Sequence, residues 1–209
     1  MGIMQLRDFI FRIIGCLFLF TSHNNMTNAD INAKKVFEEC AGAVVSIKTP
    51  DGGIGSGFFI NREGWIVTNL HVIQENEDQL FSPRDIKIIL YNSKKKISVL
   101  SIKTPFSSDL DLAFLKTDYK PQNVLPLAQS SDYAIGEDAV AIGHPEGSEW
   151  SQSKGTVTNI YPQWIQTDIS INPGNSGGPV ISKNGQVLGM CTFKLVYDKT
   201  KIGRASCRE

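Results

Sequence analysis

NPGNSGGPV, residues 172–180, surrounds one serine with three glycines and two prolines. Glycine loses more backbone entropy on folding than any other residue, so it is used where the chain needs a positive φ or a close approach. A tight turn between two strands would explain part of this composition. Presentation of the Ser176 hydroxyl, with bare backbone N–H groups around it, explains the whole segment.

Nucleophilic acyl transfer by serine needs a hydroxyl on a tight turn, a histidine base and a carboxylate that orients the base. Ser176 meets the first requirement. The backbone N–H groups of Gly174 and Ser176 can converge on one point and form an oxyanion hole. Gly177 and Gly178 would keep side chains away from the scissile bond.

The chain contains three histidines, and His71 is the best candidate for the base. It lies near the end of GWIVTNLHVI (64–73), where a strand gives way to a loop, and loops carry much of protein function. His144, in GHPEG, has the context of a loop residue before proline, and His23 lies in the N-terminal segment. A single histidine in apolar surroundings is more often a core residue, so His71 alone does not decide the function.

Asp111 and Asp109 are the candidate carboxylates. Asp111 opens the apolar run DLAFLK (111–116), and Asp109 stands two residues earlier. An aspartate at the start of a strand is commonly a turn residue, and the sequence alone does not separate the two. Asp111 adjoins the strand that looks buried, which suits an orienting carboxylate.

The composition is that of an ordinary globular protein. The 209 residues are 41% hydrophobic and 20% charged, and this length supports one large β domain or two small barrels. Lys+Arg and Asp+Glu number 21 each, so the charge balance gives no indication of nucleic-acid binding. The cysteine and histidine spacing matches no metal site, and no metal or cofactor is predicted.

Residues 1–27 have the character of a targeting segment. The apolar run Ile13–Phe20 is shorter than the roughly 20 residues that span a bilayer, and it fits the apolar region of a signal peptide. We therefore expect export to the periplasm or the exterior, by a cleaved signal or an uncleaved N-terminal anchor. Cys16 lies in this segment, whereas the sequence leaves open whether Cys40 and Cys191 pair.

The remaining pattern predicts a mainly β protein with one helix. Residues 28–40 contain a capping residue and good helix formers. Tyr119–Leu127 is the best linker candidate, dividing a unit of residues 28–118 from one of residues 119–201. Short strand-like runs with Gly, Asn, Asp and Pro between them favour a barrel or sandwich over βαβ units. Six runs precede the linker (43–48, 55–60, 65–68, 86–91, 97–102 and 112–116), and five follow it (138–143, 153–160, 164–167, 179–181 and 187–193).

Three phrases together resemble the histidine, aspartate and serine motifs of chymotrypsin-fold serine peptidases. They are GSGFFINREGWIVTNLHVI (55–73), SSDLDLAFLK (107–116) and QTDISINPGNSGGPV (166–180). AVAIGHP (139–145) and KNGQVLGM (183–190) are most similar to the HtrA/DegP branch. The chain order His, Asp, Ser is that of the chymotrypsin fold, not of subtilisins or α/β-hydrolases. The likeness extends from Ala41 to Phe193.

This resemblance implies an all-β fold of two Greek-key barrels, with His71 and Asp111 on the first and Ser176 on the second. Trypsin-like zymogens place an aspartate before the nucleophile to pair with a new N-terminus. Asn175 stands there in this chain, and no IVGG-like start occurs, so activation by N-terminal cleavage is not expected.

The same resemblance implies how substrate would bind. Ser170, six residues before the nucleophile, would line the base of the primary specificity pocket. Because serine is uncharged, cleavage after Lys or Arg is disfavoured, and small or medium apolar P1 residues are expected. Thr192, Phe193 and Lys194 would supply the strand that pairs with the substrate.

The C-terminal residues 202–209 (IGRASCRE) resemble the in-frame translation of a sequencing-adaptor sequence. On this hypothesis the native frame continues past Lys201, and such scars are excluded from fold reasoning. The second barrel needs six strands and only five are visible, so we expect its last strand to be absent. HtrA relatives often carry PDZ domains at this point, which bind peptide C-termini by adding a strand.

Three functions are compatible with these features. The first is an exported serine endopeptidase that acts on protein or peptide substrates. The second is a non-catalytic binding module on a peptidase fold, since a fold does not determine a function; all three triad residues are present, which ranks it lower. The third is a regulated, chaperone-like protease that needs a further C-terminal region. A homo-oligomer is left open.

Overall fold

The computed structural model describes residues 32–76, 78–93, 95–105, 110–129, 132–145, 150–192 and 206–208. The predicted leader (1–27), Asp109, Phe193 and Lys194 lie outside the described residues. Helix α1 spans Ala33–Cys40, and the Asn32 side chain caps it by accepting a hydrogen bond from the Lys35 N–H at 3.1 Å. This helix corresponds to the predicted one, and its described part begins at the cap.

The first barrel has six antiparallel strands in the order β1-β2-β3-β8-β7-β6, which closes on itself. Its interior holds an apolar cluster that includes Val45, Phe59, Ile66, Ile88 and Leu115. Two further short strands, β4 and β5, form a separate hairpin. The bounds are β1 Val44–Lys48, β2 Ile54–Phe59, β3 Trp65–Thr68, β4 Gln74–Asn76, β5 Gln79–Leu80, β6 Lys87–Leu90, β7 Lys96–Lys103 and β8 Ala113–Thr117.

The second barrel also has six strands, in the order β10-β11-β14-β13-β12-β9. Ala141, Val157, Ile165, Val180 and Leu188 belong to its interior cluster. The bounds are β9 Asp138–Gly143, β10 Ser151–Tyr161, β11 Trp164–Thr167, β12 Pro179–Ser182, β13 Val187–Thr192 and β14 Ser206–Arg208. The prediction of an all-β fold with two barrels is therefore confirmed.

The expectation that the second barrel lacks its last strand is wrong. Ser206–Arg208 form β14, which pairs with β11 through Ile165 and with β13 through Cys191. Without it, β11 and β13 would present rows of unpaired N–H and C=O groups to each other. Main-chain pairing makes few demands on side chains, so three residues of any ordinary composition can occupy this position. The proposed adaptor origin of residues 202–209 stays a prediction.

The predicted linker runs between the barrels and is bonded to both. The Leu125 N–H donates to the Phe59 carbonyl of β2 at 3.0 Å, and the Val187 N–H of β13 donates to the Pro126 carbonyl at 2.8 Å. Leu125 is buried. The segment therefore has a fixed path, although its proline content and weak pattern gave it no predicted element.

Cys40 and Cys191 are both free thiols and both buried. Burial, assisted by the charge of Glu39, raises the pKa of the Cys40 thiol to about 11. Because the thiolate is the reactive form of cysteine, Cys40 is poorly suited to redox chemistry. Within the described residues no helix has the length and apolar character needed to span a membrane.

A third apolar cluster joins the two barrels and α1. Val44 and Phe58 come from the first barrel, Val140 and Ile142 from the second, and Val36 from the helix. Phe58 and its neighbour Phe59 are both almost fully buried. Their side chains point to opposite sides of β2 because successive residues of a strand alternate, so Phe58 packs between the barrels while Phe59 fills the first barrel.

This pair gives a matched test of how the barrels are coupled. Phe58→Ala and Phe59→Ala should each lower the free energy of unfolding by about 3–5 kcal/mol, through lost burial and the cavity left behind. Phe58→Ala should in addition let the two barrels unfold at different denaturant concentrations, because it weakens the interface. Hydrogen exchange of β6 and β12 amides across a urea series measures both effects. Identical behaviour of the two variants would contradict this assignment.

Candidate active site

His71 and Asp111 are brought together by the pairing of β3 with β8. Thr68, at the end of β3, is the register partner of Ala113, at the start of β8. His71 lies three residues beyond Thr68 in the 3₁₀ turn Leu70–Ile73, and Asp111 lies two residues before Ala113. Antiparallel pairing thus places the residues that follow one strand beside those that precede the other.

The Asp111 carboxylate holds His71 at two points. Its Oδ2 lies 2.6 Å from His71 Nδ1, and its Oδ1 accepts the His71 backbone N–H at 3.0 Å. An ionised carboxylate only accepts hydrogen bonds, so the proton is on Nδ1. His71 Nε2 then carries a lone pair, and the imidazole side chain is 40% exposed. Of the two candidate carboxylates, Asp111 is the one that the structure describes, and it contacts His71 directly.

Two opposing effects act on the ionisation of Asp111. Burial raises the pKa of its carboxyl group, whereas the hydrogen bonds and charge of His71 and the Leu70 N–H lower it. The second effect is larger, and the pKa lies below its ordinary value. Asp111 therefore stays ionised near neutral pH and accepts both hydrogen bonds from His71.

The segment before Ser176 is a tight turn. The Asn175 N–H donates to the Asn172 carbonyl at 3.0 Å, and Gly174 has φ +98°. Proline at the second position and a positive φ at the third are the features of a type II turn. A Cβ at Gly174 would also overlap the His144 carbonyl oxygen, so both the backbone conformation and the space require glycine.

Backbone hydrogen bonds account for three of the five N–H groups of residues 174–178. Asn175 donates to Asn172, Gly177 to the Cys191 carbonyl, and Gly178 to Asn175, at 2.8–3.0 Å. Within the described part of the chain, the N–H groups of Gly174 and Ser176 donate no hydrogen bond. These two are the pair that the sequence predicted as oxyanion donors, a role that stays a prediction.

Ser176 lies at the junction of the two barrels. Its carbonyl accepts the Ser56 N–H of β2 at 2.8 Å, and Gly177, with φ +84°, packs directly on the Ser56 carbonyl. Among the described residues the Ser176 hydroxyl makes no hydrogen bond with His71. Such hydroxyl–imidazole bonds often tighten only when substrate binds. The role of Ser176 stays a prediction.

Asn69, two residues before His71, is a contributor that sequence reasoning missed. Its Nδ2 donates to the Asp111 carbonyl at 2.9 Å and to Thr192 Oγ1 at 3.0 Å. A carbonyl can only accept, so this nitrogen is the amide NH₂. Asn69 thereby links Asp111 to the end of β13 in the other barrel, and the polar residue beside His71 in TNLHVI could have indicated it.

Ser56 and His144 were also missed. His144 lies in the segment after β9, as its loop context predicts, and it is buried, with only 2% of the residue exposed. Its Nδ1 lies 3.0 Å from Ser56 Oγ. The His144 ring packs edge-on against Trp150 at a centroid distance of 4.4 Å. The two glycines that flank Ser56 in GSGFFI could have indicated a close approach to β2.

The predicted substrate contacts are partly described. Ser170 is exposed in the segment between β11 and the turn. Thr192 ends β13, and its side chain is buried against Asn69. Phe193 and Lys194 lie outside the described residues, so the pairing strand remains a prediction.

The buried His144 gives stability a dependence on pH. Burial, with a smaller contribution from the charge of Lys48, lowers the pKa of His144 from 6.5 to about 4. Between these values the unfolded chain binds a proton that the folded chain does not, so stability falls as pH drops from 6.5 towards 4. The loss approaches roughly 3 kcal/mol, at about 1.4 kcal/mol per unit. Above pH 6.5 this residue has no effect.

Urea unfolding of the parent and of His144→Asn from pH 7.5 to pH 4.5 measures this difference. Asparagine does not titrate, so the variant should show a shallower loss of stability over that range. The lowered pKa of Asp111 acts at lower pH and is common to both proteins. Parallel curves for the two proteins would contradict the buried, neutral state of His144.

The chain is similar to known proteins along most of its described length. Residues 55–190 match the model of the trypsin-like peptidase domain family. A probable periplasmic serine endoprotease, DegP-like, from Halomonas elongata is 35% identical over 66% of this chain and 28% of its own length. Its counterpart from Hahella chejuensis is 36% identical over 65% of this chain and 29% of its own length.

A comparison with solved structures supports the same assignment. The crystal structure of the serine endoprotease from Yersinia pestis has a TM-score of 0.69 and 26% identity, over 86% of this chain and 63% of that one. The chain spans less than a third of the length of the two DegP-like relatives. From the two barrels and the matched residues, the chain belongs to the trypsin-like peptidase domain family, and within it is HtrA/DegP-like.

Proposed function

We propose that this protein is a serine endopeptidase in which Ser176, His71 and Asp111 act as a catalytic triad. The observation that carries the proposal is the 2.6 Å contact between His71 Nδ1 and Asp111 Oδ2. It leaves Nε2 as the basic nitrogen, and within the described residues the N–H groups of Gly174 and of Ser176 itself donate no hydrogen bond. The periplasmic endoprotease names of the relatives support the same activity.

In the first half of the reaction, Ser176 Oγ attacks the carbonyl carbon of the scissile peptide bond. Its proton moves to His71 Nε2, and Asp111 stabilises the resulting imidazolium without taking a proton itself. The carbonyl oxygen becomes an oxyanion that accepts hydrogen bonds from the Gly174 and Ser176 N–H groups. The imidazolium then gives its proton to the leaving nitrogen, the C–N bond breaks, and an acyl ester remains on Ser176.

In the second half, water attacks the ester carbon and gives a proton to His71 Nε2. The second oxyanion is stabilised by the same two N–H groups. Its collapse breaks the bond to Ser176 Oγ, which recovers the proton from His71, and the carboxylic acid product leaves. Every proton is returned, so this chemistry needs no cofactor.

Asn175 supports activity without an N-terminal processing step. The residue is 5% exposed, and its Oδ1 has no hydrogen-bond partner within the described residues. A neutral amide can be buried there at far lower cost than a carboxylate, which would require a positive partner such as a new N-terminus. Within the described residues the turn at Asn172–Asn175 is closed by its own hydrogen bond, from the Asn175 N–H to the Asn172 carbonyl.

The remaining features of the proposal concern the whole protein. Export to the periplasm agrees with the relatives' names and the apolar N-terminal segment. Protein quality control, a following PDZ domain and assembly into a homo-oligomer are parts of the proposal that the HtrA/DegP likeness supports. The alternative, a non-catalytic binding module, predicts the same barrels but an inert Ser176.

The triad assignment predicts a graded series of losses. Ser176→Ala and His71→Ala should each reduce kcat by on the order of 10⁶, as removal of such residues can. Asp111→Asn should cost about 10⁴, because the amide favours the wrong tautomer. Hydrolysis of an unfolded protein substrate, together with fluorophosphonate labelling of Ser176, measures these effects. Asp118→Asn, an exposed change seven residues away, is the control and should stay within twofold of the parent.

Near-parental turnover by Ser176→Ala would overturn the assignment. Absence of labelling in the parent, with the fold retained, would favour the binding-module alternative.

Ser170 predicts the choice of P1 residue. An uncharged pocket base should favour cleavage after small or medium apolar residues, and Ser170→Asp should add cleavage after Lys and Arg by charge complementarity. Mass spectrometry of the cleavage products of a peptide library identifies the P1 residues of both proteins. Cleavage by the parent mainly after Lys or Arg would exclude Ser170 from that position.

A further inference from the structure

Ser56 makes two separate contacts with the segment that contains the proposed nucleophile. Its backbone N–H donates to the Ser176 carbonyl at 2.8 Å, and its hydroxyl donates to the Gly174 carbonyl at 2.7 Å. Ser56 is fully buried on β2 of the first barrel, whereas both acceptors lie between β11 and β12 of the second. One residue of the first barrel therefore holds two carbonyl groups of the other, one inside the Asn172–Asn175 turn and one just after it.

The hydrogen bonds of Ser56 Oγ determine the tautomer of His144. Ser56 Oγ has one proton, and the Gly174 carbonyl can only accept, so that proton is directed at Gly174. The remaining contacts of Oγ, with the His144 N–H at 3.1 Å and His144 Nδ1 at 3.0 Å, must then be donated by His144. The neutral ring carries its proton on Nδ1, and both lone pairs of Ser56 Oγ are occupied.

The surroundings hold His144 in this orientation. Its Nε2 is buried without a partner among the described residues, which agrees with an unprotonated nitrogen. Trp150 packs on the ring and donates from Nε1 to the Val44 carbonyl of β1 at 3.2 Å. The His144 carbonyl lies against the Cα of Gly174, where any side chain would collide with it.

We propose that Ser56 and His144 are positioning residues that hold the Asn172–Asn175 turn in the orientation that presents the Gly174 N–H to the oxyanion. This inference rests on the proposed function. Gly174 has no Cβ, so its own sterics allow both signs of φ, and an external contact must select one. The hydrogen bond to its carbonyl does so, and His144 directs the Ser56 hydroxyl proton towards that carbonyl by occupying its lone pairs.

Four variants test the proposal by steady-state hydrolysis of a chromogenic peptide anilide with valine at P1. Ser56→Ala and His144→Leu should each lower kcat by about 10–100-fold, part of the 10²–10³ that loss of a whole oxyanion donor costs. KM should change less than threefold. His144→Asn, whose amide can donate from nearly the same position, should keep kcat within threefold. The double variant Ser56→Ala/His144→Leu should lose no more than either single change, because both act through one contact.

Ser46→Ala is the matched control, because Ser46 is a buried serine of β1 directly opposite Ser56 in the sheet. Its kcat should stay within twofold of the parent. Turnover is expressed per fluorophosphonate-labelled Ser176, so unfolded molecules are not counted. Should Ser56→Ala fail to fold, His144→Leu, in the segment that follows β9, carries the test alone.

The outcomes separate this inference from the proposed function. A parent that neither hydrolyses the peptide nor labels at Ser176 overturns both. An active parent whose Ser56→Ala and His144→Leu variants keep parental kcat overturns the positioning role alone. A matching loss in His144→Asn, or equal effects on kcat and KM in all variants, also overturns it, since a general loss of structure would produce that pattern.

Discussion

The hydrogen bond from the Ser56 N–H to the Ser176 carbonyl, 2.8 Å long, is the contact on which the arrangement of the site depends. His71 and Asp111 belong to the first barrel and Ser176 to the second, so neither barrel contains a complete site. Strand pairing inside each barrel cannot determine the distance between them. That distance is determined where β2 meets the turn before β12, by this bond and by the link from Asn69 to Thr192. The apolar cluster around Phe58 and Ile142 supplies most of the free energy that holds the two barrels together. Hydrophobic burial is non-directional, so the hydrogen bonds determine the relative position of the barrels.

Much of the fold could be read from short-range pattern. All eleven strand-like runs correspond to strands, and several, such as Trp65–Thr68 and Asp138–Gly143, have the predicted bounds. These strands carry regular alternation or apolar runs ended by Gly, Pro or Asn, which is where local chemistry decides conformation. The hairpin β4–β5 has polar residues such as Gln74 and Asn76 and gives no such pattern. β14 was missed for a different reason: residues 202–209 resemble a translated adaptor and were excluded from fold reasoning, and the pairing of this strand depends on its two neighbours more than on its own residues.

The residues of the candidate site also fall into two groups, those that local sequence indicates and those that it does not. His71, Asp111 and Ser176 lie in segments whose composition is unusual for a plain strand or loop. The resemblance to a family then assigned a role to each of the three residues. Ser56, Asn69 and His144 stand in segments that also make good strands or loops, and their partners are 42 to 123 residues away. No periodicity within a strand reports a contact of that separation. His144 illustrates the difference, since a proline follows it and its loop context is real, yet the ring turns inward because Ser56 and Trp150 meet it there.

The polar atoms left without partners indicate where stability has been given up for this geometry. Within the described residues five buried side-chain atoms lack a hydrogen bond, and Asn69 Oδ1, His144 Nε2 and Asn175 Oδ1 are three of them. Each unsatisfied atom costs about 1–3 kcal/mol, and apolar residues would avoid that cost. Asn69 donates from its amide nitrogen to the Asp111 backbone carbonyl and to Thr192 Oγ1, and His144 donates from Nδ1 to Ser56 Oγ, so in these two side chains the unpaired atom accompanies a hydrogen bond made by the same group. Violations of local rules collect at functional sites. Here they surround the Asn172–Asn175 turn and Ser176, the segment that in the proposed mechanism holds two N–H groups free for a charge that exists only during the reaction.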